Sequence, residues 1–334
     1  MSTLTQFDGS PDTGAAKLVN LQVSNWQNRT TAEDNTWRAI AWNGTLFAAV
    51  SSSTTTTDVM TSPDGITWTS RTTSAAGIQW FAIAWNGTVF AAVGYSLGTD
   101  SVMTSPDGIT WTIRTSVTDG RTSQGIAWNG TLFAAVSSSG TGDRVMTSPD
   151  GTTWTSRTSA ADIEWRGIAW NGTVFAAVAR SGVGNRVMTS PNGITWTSRT
   201  SAADNSWRKI AWNGTLFAVV SQDGAGNQIM TSPDGITWTS RTTPSSGIPF
   251  NDIAWNGTVF AAVAGSSQVM TSPDGITWTI RTSAVNNFLG IAWNGLGTAP
   301  MYLLPAAGTG TVFAAVAASG TGNRVMTSLF LKDE

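Results

Sequence analysis

The chain has 334 residues, a formal net charge of -2, only 11% charged residues, 18 Trp, and neither His nor Cys. No basic surplus is present to neutralise phosphates, which argues against a nucleic-acid partner; without His and Cys the commonest general base, the commonest zinc ligands, every thiol nucleophile and every disulfide are gone. No apolar run approaches about 18 residues, so membrane insertion is not expected, and a chain rich in Thr, Ser, Gly and Asn but poor in helix formers suits strands joined by tight turns.

Residues 1–20 read as a polar tail without the basic and apolar regions of a secretory signal. Residues 21–30 contain one strand-like run around Trp26, "SNWQNRT". A unit then repeats. "IAWNGTLFAAV" begins at Ile40, with close copies at Ile83, Ile126, Ile168, Ile210 and Ile253 and a broken one at Ile291. Aligned on Trp42, Trp85, Trp128, Trp170, Trp212, Trp255 and Trp293, the spacing is 42 or 43 residues, except for a last step of 38. Each unit has four strand-like runs. A short first run ends at "AW". "NG" follows, a two-residue hairpin signal in which both central residues are expected at positive φ. The second run is "TLFAAV", and a loop rich in Ser, Gly and Thr comes next. The third run is "RVMTS", followed by the turn "PDG" and the fourth run "ITWTSRT". Four strands in about 42 residues is the size of one propeller blade.

The ends indicate a closed ring. The third-run Met occurs seven times, from Met60 to Met326, and the fourth-run Trp seven times, from Trp26 to Trp278. Trp26 precedes the first "AWNG", while the chain stops after the seventh third run. Pairing the spare N-terminal strand with the incomplete last blade removes the open seam. The expected fold is all-β: a seven-bladed β-propeller, four antiparallel strands per blade, spanning residues 21–328, with a hairpin insertion at 294–310 and a short C-terminal tail at 329–334. Residues present in every blade, including the two Trp, the Phe and the Met, are expected to pack the core. An Arg repeated from Arg29 to Arg281 is expected to have a structural role, stacking or bonding between blades. The small Ala pair of "FAAV" is expected near the crowded axis.

"SPDGITW" begins at Ser62, Ser105, Ser232 and Ser272, with variants at Ser148 and Ser190. It resembles the Asp-box of sialidases and related repeat proteins, Ser-x-Asp-x-Gly-x-Thr-Trp, in six of the seven blades, departing from it because Asp64 and Gly65 are adjacent. Chains of such blades are also similar to propellers of bacterial surfaces and bacteriophage virions. The resemblance implies the propeller fold; in that family the box is a fold element away from the active site. Its carboxylate is expected to accept N–H bonds in the turn while Trp packs beneath.

Enzyme chemistry finds little material. A sialidase-like site needs an arginine cluster, a Tyr activated by a Glu, and an acid. The only Tyr are Tyr95 and Tyr302, and the only Glu are Glu33, Glu164 and Glu334. No pair among Asp34, Asp100, Asp119, Asp143, Asp162, Asp204, Asp223 and Asp252 stands out by spacing for glycoside hydrolysis, and these read as turn residues. No metal-loop spacing is present. The expectation is a protein that is not an enzyme and has no cofactor or metal.

A ligand is expected on the face that carries the variable second-to-third loops. Five residues before the "AWNG" Trp stands an aromatic in six blades: Trp37, Trp80, Trp165, Trp207, Phe250 and Phe288; Ser123 is the exception. Arg38, Arg166 and Arg208 follow three of them. Two uses fit. The aromatics could stack on sugar rings beside arginine donors, giving several weak sites with avidity for a repeated glycan. Or they could plug the wedge between blades. The insertion carries an apolar group, Met301, Tyr302, Leu303 and Leu304, expected on the opposite face as a docking loop. The functional expectation is a binding module at a virion or cell surface, recognising glycans or a host receptor beside neighbouring virion or envelope subunits. A purely structural assembly component is the alternative, and a glycosidase the third reading.

Overall fold

The computed structural model describes residues 23–330 apart from 74–75, 99–100, 118–119, 267, 283–286 and 296–311. Among the described residues, 28 strands form seven antiparallel sheets of four. In each blade the strands are hydrogen-bonded in chain order, and the first strands of successive blades adjoin around the axis. The last blade is completed from the other end of the chain. Val23–Arg29 pairs with Val325–Phe330, so the order outward is Phe288–Trp293, Val312–Ala317, Val325–Phe330, Val23–Arg29. The ring is therefore closed by the N-terminal strand.

The core consists of seven wedges, each between two blades. The fourth blade turns Trp165, Ile168, Phe175, Ala177, Met188 and Trp196 toward Ala134, Val136 and Val145 of the third. Its other face offers Ala176, Val178 and Val187 to Trp207, Ile210, Phe217, Met230 and Trp238 of the fifth. Alternation along "FAAV" produces this: Phe and the second Ala point one way, the first Ala and Val the other. Each blade thus has a bulky face and a small face, and bulky packs on small. Every Phe of the second strands is fully buried, as are the Ala pairs, and each such Phe contributes about 1.5–3 kcal/mol by leaving water. Phe175 also lies between Trp170 and Trp196, with ring centroids 4.7 and 6.2 Å away. The Ala pair belongs to the second strand and not to the innermost one, so its smallness answers the facing blade rather than the axis.

The turns explain the repeated phrase. Asp64 Oδ1 accepts the N–H groups of Ile66 and Thr67 at 2.8 and 2.9 Å and the Ser62 hydroxyl at 3.0 Å, while the Trp68 indole donates to the Gly65 carbonyl at 2.9 Å. Partial burial raises the Asp64 carboxyl, but these donors outweigh it and hold the group below the ordinary carboxylate range. Gly65 has φ 75°, a backbone state that a side chain disfavours. Asn192 makes the same two N–H contacts through its amide oxygen, which is why blade four tolerates the change. In the "NG" hairpin only Gly44 takes positive φ (102°). Asn43 instead caps the loop, its Oδ1 accepting from the N–H of Thr45 and of Leu46 at 2.9 and 2.8 Å. Gly in the first central position fits a mirror-image turn that needs one positive φ, not two.

The repeated arginine bonds inside its blade, not between blades. Arg71 Nε donates to Thr61 Oγ1 at 2.8 Å, and Arg199 to Thr189 at 2.9 Å. Arg29 does the same to Thr327 at 2.8 Å across the join that closes the ring.

Candidate functional site

Each first strand starts at the variable face and runs down the axis. All seven contain a register shift one residue after the position of the wedge aromatic, at Arg38, Phe81, Gln124, Arg166, Arg208, Asn251 and Leu289. Such a bulge leaves one residue outside the ladder and re-aims its side chain. The sequence of the wedge continues undisturbed below it. All seven of these residues line two adjoining cavities at the axis, of about 210 and 400 Å³, which share Arg38, Arg208 and Leu289.

The bulge ring is cationic. Arg38 Nε donates to Ser52 Oγ at 2.8 Å and its guanidinium lies 5.6 Å from the Phe81 ring centre. Arg166 forms a 2.8 Å ion pair with Glu164, and its buried Nε has no hydrogen-bond partner among the described residues. Arg208 has a single long contact, 3.4 Å to Asn251 Oδ1, and no ion pair among the described residues. Burial pushes Arg208 down to about 10, with Arg166, Arg38 and Arg180 adding repulsion and Asp252 opposing it. The wider cavity adds amides: Asn251 Oδ1 also accepts from Gln222 Nε2 at 3.0 Å, and Asn287 stands beside it in the lining. Convergent guanidinium groups with one external carboxylate, Glu164, form a site suited to an anion.

Two further charged groups lie one residue down. Lys209 lines the smaller cavity and its Nζ donates across the axis to the Gln124 carbonyl at 3.0 Å. Asp252 accepts the Ile253 and Ile291 N–H groups, both at 2.9 Å. Burial raises the Asp252 carboxyl against the pull of Lys209, of those two N–H groups and of Arg208. Asp252, expected in a turn, is thus a strand residue whose carboxylate reaches the first strand of the next blade.

Of the sequence-predicted ligand residues, Arg38, Arg166 and Arg208 are brought together. The six aromatics are not available to a ligand. Trp37, Trp80, Trp165, Trp207, Phe250 and Phe288 are all 0% exposed. They fill the wedges between blades, and Trp37, Trp165 and Trp207 donate their indole N–H to the carbonyls of Glu33, Ala161 and Ala203 at 3.0–3.1 Å. No ring face is left for a sugar. Met301, Tyr302, Leu303 and Leu304 lie outside the described residues. Loop carboxylates act as clasps: Asp34, Asp162 and Asp204 accept the N–H groups of Gly322, Gly142 and Gly184 and sit 3.6–3.7 Å from Arg324, Arg144 and Arg186. Among the described residues no group of three or more Asp or Glu could hold a metal ion. The signal that sequence reading missed is Lys209, a lysine where five other blades carry Ala or Gly and the sixth carries Asp252.

No protein-family model matches the chain, and no curated protein matches it in sequence. Solved structures do resemble it. Virginiamycin B lyase from Staphylococcus aureus superposes with a TM-score of 0.74 at 10% identity, over 92% of this chain and 99% of that one. YCF48 from Cyanidioschyzon merolae gives a TM-score of 0.64 at 14% identity, over 91% and 98%. A structure of YCF48 bound to D1 peptide gives 0.63 at 14%, over 92% and 95%. One of these neighbours is an enzyme and another a peptide binder, and none of the three is a sialidase or a phage protein. At such identities the similarity shows one thing: the chain has the fold of a seven-bladed β-propeller.

Proposed function

We propose that the protein is a non-enzymatic binding module that takes an acidic ligand, an acidic surface glycan in the first instance, into the axial pocket of its variable face. The observation that carries this reading is the convergence of Arg38, Arg166 and Arg208 on one cavity, with Arg208 in no ion pair among the described residues. Recognition then rests on charge, with amide donors such as those of Asn251 and Gln222 along the wider cavity, and not on aromatic stacking. A ring of weak aromatic sites would have made each disc multivalent. A single axial pocket does not, so avidity would come from many copies displayed together, as on a virion or a cell envelope.

The test is a glycan array probed with the purified protein and with the double variant Arg166→Gln/Arg208→Gln. Binding confined to carboxylated or sulfated glycans, weakened by added salt and lost in the variant, is the expected result. Binding to neutral glycans that the variant retains would move the site elsewhere. No binding to any acidic glycan would overturn the reading and leave the disc as an assembly component.

A further inference from the structure

Anion recognition leaves one feature of the axis unused. One residue below the bulge, the seven first strands carry Ala39, Ala82, Gly125, Gly167, Lys209, Asp252 and Gly290. Small residues belong there because neighbouring strands approach closely. A Cβ on Gly125, Gly167 or Gly290 would lie 2.9, 2.7 or 2.8 Å from the carbonyl oxygen of Arg166, Arg208 or Arg38. Lys209 and Asp252 break that rule in two adjacent blades. Lys209 is also the one lysine between the terminal segments, the others being Lys17 and Lys332.

Its position is chemically unusual. The side chain lines the 210 Å³ cavity together with Arg38, Arg166 and Arg208. Burial holds its amine below the ordinary lysine value; Asp252 opposes this, and Arg208 and Arg166 reinforce it. Packing does not explain a lysine here, since five blades fill the same position with hydrogen or methyl. Anion binding does not need it either, because a guanidinium holds a carboxylate better and three are present. What an ammonium in a cationic, desolvated site offers is a fraction of neutral amine, which is a nucleophile toward carbonyl carbon.

We propose that Lys209 Nζ captures carbonyl compounds as an imine, and that the pocket selects small 2-keto acids, with the carboxylate on the arginines and the ketone at Lys209. This rests on reading the pocket as an anion site and narrows the anion to one with a carbonyl beside its carboxylate. The neutral amine attacks the carbonyl carbon, forming the N–C bond as the C=O π pair moves to oxygen. The resulting carbinolamine expels that oxygen as water, which takes both amine protons, and C=N replaces C=O. Nothing is oxidised or reduced, and hydrolysis reverses the step.

The test treats the full chain with pyruvate and cyanoborohydride at neutral pH and maps the modified peptides. The expected result is one carboxyethyl group at Lys209, at least tenfold ahead of Lys17 and Lys332, and a tenfold loss of that label in Arg208→Gln. Lys209→Ala, which installs the residue found in blades one and two, should keep the circular dichroism spectrum and show no labelling above that of the two terminal lysines. Equal labelling of all three lysines, or none at Lys209, overturns the proposal. Lactate, with the carboxylate but no ketone, separates the two readings. If lactate and pyruvate both raise the melting temperature through Arg208 while Lys209 stays unlabelled, the imine fails and the anion pocket stands. If neither ligand raises it and Lys209 stays unlabelled, both fail.

Discussion

Trp165 and Arg166 are neighbours in one strand, yet they belong to regions governed by opposite rules. The tryptophan is fully buried in a wedge whose composition barely changes from blade to blade. The arginine sits on a bulge, where the seven blades offer three Arg and one each of Phe, Gln, Asn and Leu. Packing demands the same solution seven times because each wedge has the same shape. A ligand on the axis demands a different residue from each blade because it breaks the sevenfold symmetry. In a repeat protein, the position free to vary beside a fixed one is therefore the place to look for function.

The largest expected effect breaks the wedge. Trp165→Ala removes a fully buried indole and its bond to the Ala161 carbonyl, and should cost about 3–5 kcal/mol. Urea unfolding measures it. Where the variant is still folded, its affinity for an acidic ligand should match that of the parent, because the indole does not reach the cavity. A stacking tryptophan would do the reverse, losing affinity at little cost in stability.

A smaller effect of opposite sign should come from the bulge. Arg208 is held near like charges and forms no ion pair among the described residues, so Arg208→Met should raise stability by about 1 kcal/mol in the absence of anions. The sign follows from the shift. The folded-state value, about 10, lies below that of an ordinary guanidinium, so the charged form is penalised by folding. That penalty is complete below pH 10 and is relieved as pH rises above 10 toward the ordinary guanidinium range. The gap between variant and parent should therefore be full at pH 7 and narrow above pH 10. Sulfate should stabilise the parent more than the variant, because a bound anion offsets the repulsion. Thermal melts across pH and sulfate concentration check both statements; an Arg208→Met protein less stable than the parent at pH 7 would mean that the arginine packs rather than waits for an anion.

How much of this was legible in the sequence follows the same division. Recurrence alone marked Trp42, Phe47, Met60 and Trp68 as core, and the spare strand around Trp26 announced how the ring closes. Those features are local and repeated, so each copy confirms the others. The bulge was not legible. It depends on how Trp165 and Gly167 pair with Ala179 and Val178 on the next strand, and no local pattern in "EWRGIAW" shows that one residue is skipped. Read from the sequence alone, the aromatic and the arginine share one ligand surface. The pairing separates them, sending one into the wedge and the other to the axis. Similarly, Asp252 follows a phenylalanine and an asparagine in a stretch preceded by "SSGIP", so its composition resembled a turn. Only the strand register puts it opposite the Ile291 N–H.

The smallest expected effect tests independence. Seven arginines each make one Nε bond to a threonine hydroxyl within their own blade, Arg71 to Thr61 and Arg199 to Thr189 among them. Arg71→Ala and Arg199→Ala should each cost about 0.5–1.5 kcal/mol. Blades one and four share no partners, so the double variant should cost the sum, within about 0.5 kcal/mol. The axis should not behave this way. Arg38 and Arg208 come from blades one and five, yet they line both cavities together and act on one another electrostatically. Removing either relieves the other, so the double variant Arg38→Met/Arg208→Met should gain less than the sum of the single changes. A pair of thermodynamic cycles, one at the rim of the disc and one at its axis, therefore separates a repeated structural contact from a single site assembled by different blades. Additivity at the axis would mean that Arg38 and Arg208 are indifferent to one another, and would remove the physical ground for a shared anion.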